Sequence, residues 1–172
     1  MKFLKIALTT AAIAGFASTA SAQDSGFYTN IGVDAYEFEA YAIGVKGGYE
    51  VNDYFAIEGQ GALGVIDEKE TFQGTEFKAG VDYAIGAFGV LKLPVSDSVD
   101  VFARAGYHLT EVQASGGGVS ASGSFDGFAL GAGLQYMFSG ANGIRAEYTY
   151  LDLPDDVVDN GNVFSVSYVR KF

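Results

Sequence analysis

The chain has 172 residues, with 21 Asp plus Glu against 10 Lys plus Arg, 24 Gly, and neither Cys nor Trp. A formal charge of −11 argues against nucleic acid, whose phosphates are held by clustered Lys and Arg, and the length leaves room for one modest domain rather than a two-domain enzyme. Hydrophobic residues at 49% beside such acidity, and glycine at about twice its usual share of roughly 7%, do not describe an ordinary soluble globule.

Residues 1–22 read as a secretory signal peptide. Met1, Lys2 and Lys5 form a basic start, Ile6 to Ala17 an apolar run, and Ala20-Ser21-Ala22 an A-x-A cleavage site, so the mature chain is expected to begin at Gln23. An N-terminal membrane anchor fits less well, because the run is too short to span a bilayer and is followed by Ser18, Thr19 and Ser21. No Cys follows the site, which excludes a lipoprotein and any disulfide framework. Residues 23–172 are then read as one domain.

Beyond Ala22 no apolar stretch approaches the ~18 residues that a spanning helix needs. Period-two alternation appears instead in eight segments, separated by Asn, Asp, Gly, Pro and Ser. They are placed at Phe27 to Ala35, Tyr41 to Val51, Tyr54 to Val65, Phe77 to Leu93, Val99 to Leu109, Phe125 to Phe138, Ile144 to Leu151 and Asn162 to Phe172.

Splitting each segment into its two faces gives one register without charge except Arg170. It includes Ile57 and Leu63, Val81, Tyr83 and Ile85, Leu130 and Leu134, and Phe164 and Val166. The other register holds Asp34, Glu50, Glu58, Asp82, Asp100 and Glu147 against Lys46, Lys78, Lys92, Arg104, Arg145 and Lys171. In a soluble sandwich the charged face would meet water, and nothing would require six acids to match six bases. Inside a narrow membrane barrel an unpaired charge is costly, so the balance favours an all-β fold, an eight-stranded antiparallel transmembrane barrel of up-and-down meander order. Tyr and Phe near the strand ends supply aromatic girdles.

The second, fourth and sixth connections are compact (Asn52-Asp53, Pro94 to Ser98, Ser139 to Gly143) and are expected in the periplasm with both termini. The outer loops are expected at Tyr36 to Ala40, Ile66 to Glu76, Thr110 to Ser124 and Asp152 to Gly161. With Asp126 beside them, the outer side then carries twelve carboxylates against Lys69 alone. A turn centred on Asn52 predicts Lys46 opposite Glu58, and one near Ser96 predicts Lys92 opposite Asp100.

Four stretches resemble the small eight-stranded outer-membrane barrels of Gram-negative bacteria, the opacity-protein and surface-antigen group that includes the barrel of outer membrane protein A. They are Tyr54-Phe55-Ala56-Ile57-Glu58-Gly59, Val101 to Tyr107, Arg145 to Asp152, and the terminal Val169-Arg170-Lys171-Phe172. The resemblance covers the mature chain. It implies bacterial outer-membrane localisation, outer-membrane lipid and lipopolysaccharide as surroundings, periplasmic chaperones in transit, and Phe172 as a signal read by the barrel-assembly machinery. Relatives of this kind include surface antigens, adhesins, structural proteins and weak pores.

Other motifs carry less. Gly59-Gln60-Gly61-Ala62-Leu63-Gly64 satisfies G-x-G-x-x-G but lies in a strand with no helix to receive a pyrophosphate. His108 and Thr110 share the inward face, whereas barrel lipid hydrolases work from the lipid side, so no catalysis is expected. The Asp155 to Gly161 loop lacks Ca²⁺-loop spacing, and neither cofactor nor metal is implied. The expected function is a structural or surface-antigen barrel, a monomer with an interior charge cluster of Lys46, Glu58, Asp82, Lys92, Asp100, Arg104, Arg145 and Glu147. The alternative is a narrow porin-like channel, for which inward Gly44, Gly48, Gly80, Gly86, Gly106, Gly131 and Gly133 would leave watery pockets.

Overall fold

The computed structural model describes residues 26–37, 40–66, 68–72, 75–116, 119–152 and 161–172. Its strands are β1 (Phe27–Tyr36), β2 (Tyr41–Asn52), β3 (Phe55–Ile66), β4 (Glu68–Phe72), β5 (Thr75–Ser96), β6 (Val99–Gly116), β7 (Val119–Met137), β8 (Asn142–Leu151) and β9 (Gly161–Lys171). Apart from β3 and β4, neighbours in chain order pair antiparallel, β9 returns to β1, and β3 pairs with β5. The sheet is closed. Short β4 continues the line of β3 and pairs only with β5, so the wall has eight staves, as the alternation predicts. The signal-peptide reading of residues 1–22 lies outside the described residues.

Alternation turns apolar side chains outward. Leu63, Phe128, Leu130, Phe164 and Val166 are each at least 60% exposed, which in water would be costly and in a bilayer is the contact the fold is built for. No helix among the described residues is long and apolar enough to cross a membrane. Aromatic pairs stand at both rims. Phe27–Tyr49 and Phe138–Tyr168 lie at the end holding the termini, with centroids 4.8 and 6.5 Å apart, and Tyr107–Phe128 and Tyr148–Phe164 at the other, 5.5 and 4.9 Å apart.

Three expectations change. First, the segments around Ile66 to Glu76 and Thr110 to Ser124 are largely strand: β5, β6 and β7 run past the ring as a projecting sheet. Second, β5 bulges between Val81 and Tyr83, so Val81 is buried and Asp82 is exposed, the reverse of unbroken alternation. Asp82 is therefore no member of the interior cluster. The side chains of Lys78 and Ala79, on the far side of that bulge, lie outside the described residues. Third, the register at both turns differs by two residues. Lys46 faces Gln60, Glu58 faces Gly48, Lys92 faces Phe102 and Asp100 faces Pro94. The turns fall at Asp53-Tyr54 and Asp97-Ser98, beyond the centres expected at Asn52 and Ser96, and the irregularities at Glu50/Asn52 and Pro94/Ser96 take back one residue of the resulting shift.

The inward glycines are covered rather than hollow. A Cβ on Gly48 would stand 2.1 Å from the Tyr28 ring, one on Gly133 would stand 2.6 Å from Phe102, and one on Gly131 would stand 3.0 Å from Arg104. The glycines make room for large neighbours that lie flat across the wall. At these three positions the space that the channel alternative would use is filled by side chains.

Candidate functional site: a charged layer inside the barrel

Period two directs Lys46, Glu58, Arg104, Arg145 and Glu147 inward from four staves, the last two both from β8, and closure of the sheet brings their ends together. Glu58 takes Arg104 Nη1 at 2.9 Å on Oε1, and Arg145 Nη1 at 2.8 Å and the Tyr28 hydroxyl at 2.9 Å on Oε2. Glu147 Oε1 accepts from Lys46 Nζ at 2.8 Å and the Thr149 hydroxyl at 3.0 Å and forms an ion pair with Arg104 Nη2 at 2.7 Å. Arg145 Nη2 lies 2.7 Å from Glu147 Oε2, a close ion pair whose angles fall outside hydrogen-bond geometry. Arg104 also donates to Gln60 Oε1 at 2.8 Å and to the Thr149 hydroxyl at 3.2 Å.

Two aromatic rings complete the layer. The Arg104 guanidinium sits 3.9 Å from the centre of Phe88, and that of Arg145 sits 3.8 Å from the centre of Phe102. Flat cations stacked on rings leave their edges free for the carboxylates, a geometry a lysine cannot provide. Asp34, also buried, accepts from Ser165 Oγ at 2.6 Å. Away from the rim at the termini, the buried charges among the described residues are Lys46, Arg104 and Arg145 against Asp34, Glu58 and Glu147, a neutral set. Neutrality matters because each charge has left water and only partners offset that cost.

The remaining predicted members lie elsewhere. Lys92 reaches Glu50 Oε1 at 2.5 Å, which also takes Lys171 Nζ at 2.9 Å, a second cluster at the rim near the termini. Asp100 is half-buried and has only a long contact, 3.5 Å, from Gln135 Nε2. Lys46 and Glu58 belong to one network but contact different partners, not each other. Tyr28, Gln60, Thr149, Phe88 and Phe102 were not among the members expected in the cluster. Their inward register was visible; that their neighbours are glycines, which lets them lie across the wall, was the unused signal.

Apolar side chains cap the layer on both sides. Tyr28, Ala56, Val90 and Phe102 cluster toward the termini. Tyr36, Val81, Phe88, Leu151 and Val163, with several alanines, close the opposite end. Between the charged layer and that second cap lies a cavity of about 20 Å³, lined by Gln60, Arg104, His108, Thr110 and Thr149 among others, about the space of one water. His108 is inward and buried with Nδ1 3.3 Å from the Thr110 hydroxyl, as its register predicts. Among the described residues no group of three or more His, Asp or Glu is placed to hold a metal ion. The Asp155 to Gly161 loop lies outside them except for Gly161.

The model of the outer membrane protein beta-barrel domain matches residues 7–172. No curated protein matches the chain in sequence. Among solved structures, Ail of Yersinia pestis, crystallised with the heparin analogue sucrose octasulfate, superposes with a TM-score of 0.61 at 21% identity, covering 85% of this chain and 97% of Ail. The N-terminal barrel of OprF from Pseudomonas aeruginosa gives 0.65 at 10% identity over 87% and 98%. Neisserial surface protein A gives 0.58 at 20% identity over 86% and 98%. At these identities the likeness is one of fold.

Proposed function

We propose that this chain, which belongs to the outer membrane protein beta-barrel domain family, is a closed, non-catalytic barrel serving as a structural protein and surface antigen of the bacterial outer membrane. The observation that carries the reading is the neutral ion-pair layer capped by apolar side chains, with a cavity of only about 20 Å³ beside it. A channel needs a continuous wet path, and eight staves give a lumen just wide enough for side chains to fill. His108 lies inside the wall, away from any lipid substrate.

Orientation follows from the connections. The short turns and both ends of the described barrel share one rim, which we assign to the periplasm, and the projecting sheet then lies outside. Signal cleavage after Ala22, passage with periplasmic chaperones and delivery by the assembly machinery through Phe172 complete the proposed route. The outer carboxylates suit lipopolysaccharide phosphates bridged by divalent cations, and they disfavour polyanions such as the heparin analogue bound by Ail. Vesicle swelling tests the reading. Vesicles holding the refolded protein should shrink in sugar or salt and stay shrunken like protein-free ones; rapid recovery of volume would establish a channel.

A further inference from the structure

The projecting sheet has one unusual edge. Strand β7 pairs with β6 over its whole length, Val119↔Gly116 to Tyr136↔Val99, but with β8 only from Ala129↔Leu151 to Met137↔Gly143. One further bond, Asp152 N to Phe128 O at 2.9 Å, extends the second ladder. Beyond it, no described residue pairs with the outer flank of residues 119–127. The next donor the ladder would use belongs to residue 154, a proline without an N–H. Eight residues, 153–160, must leave Asp152 and return to Gly161 opposite Leu151, so their reach is about four residues of extended chain, ~14 Å. Residues 119–127 run ~30 Å. The far half of the edge lies beyond that reach.

Because Phe128 presents its carbonyl to the β8 side, alternation sends the N–H and C=O of Ser120, Ser122 and Ser124 to the same open side. Their side chains are exposed, as are Gln113 and Ala114 across the hairpin. From Val112 to Phe125 the sequence has no charge and no proline, and every residue except Val112, Gln113, Val119 and Phe125 is Ala, Ser or Gly. Strand edges are normally blunted by Lys, Pro or a bulge, and this one has none of these.

We propose that this edge pairs with the same edge of a second copy of the chain, antiparallel and centred on Ser122, so that Ser120 faces Ser124 across a two-fold axis. The occupant follows from charge: the outer side is acidic, and this uncharged ribbon is where two copies meet without bringing carboxylates face to face. Antiparallel pairing requires strands that run in opposite directions. Copies in one membrane all run the same way, whereas copies in two opposed membranes run oppositely. The contact therefore joins two membranes and leaves the barrel a monomer within its own.

Clustering of lipid vesicles carrying the refolded protein, read by light scattering, tests this. The native chain should cluster vesicles. Ser122→Pro should abolish clustering with an unchanged circular dichroism spectrum and unfolding temperature, because it removes only an N–H that faces out of the sheet. Ser122→Lys should do the same. Since the chain has no cysteine, Ser122→Cys should give disulfide-linked dimers on oxidation of clustered vesicles, and Gln113→Cys on covered β6 should not. Dispersed native vesicles, clustering that survives Ser122→Pro, dimers formed equally through Gln113→Cys, or capture of an added extended peptide by vesicles that stay dispersed would each overturn the proposal.

Discussion

Glu58 accepts from two guanidinium groups and a tyrosine hydroxyl, so its removal strands Arg104 and Arg145 inside the wall together. Breaking a buried pair from one side costs about 3 to 5 kcal/mol, and Glu58→Ala should lower stability to urea by that order. Asp97→Ala in an exposed turn should change it by no more than about 0.5 kcal/mol. Lys46 acts through Glu147 at 2.8 Å, so a double-mutant cycle on Lys46→Ala and Glu147→Ala should show recovery in the double variant. Strict additivity would break the pair. Gly48→Ala presses a methyl into the Tyr28 ring at 2.1 Å and should cost about 1 to 3 kcal/mol by displacing it from Glu58.

At the scale of the strand, the sequence shows which residues face inward wherever alternation is unbroken, and fails where one residue is added. Lys46, Glu58, Arg104, Arg145 and Glu147 were legible because period two is a property of the strand itself. Their partners were not, since pairing across a turn depends on where the turn sits and on any bulge beside it, neither of which leaves a clear sequence signal, as at Asp53-Tyr54 and Glu50/Asn52. The bulge at Asp82 is the sharpest case: Val81→Cys should resist a water-soluble maleimide and Asp82→Cys should react, the opposite of what alternation alone gives. The C-terminal strand carries a proposed assembly signal, so deleting Phe172 should reduce membrane-inserted protein more than Phe164→Ala, although Phe164 is 60% exposed to lipid. Equal insertion of the two variants would assign Phe172 to surface area alone.

For the whole molecule, the acidity that argues against nucleic acid lies mostly toward the end we assign to the exterior, while the charges across the middle of the wall cancel. Glycine abundance serves a packed lumen: small residues on one stave receive Tyr28, Phe88 and Phe102 from the next. The central claim is that these side chains seal the barrel. Single-channel recording of the refolded protein in a planar bilayer tests it most directly. The account predicts a membrane current indistinguishable from that of the bare bilayer across both polarities. Steady, reproducible conductance steps from the native chain would contradict it.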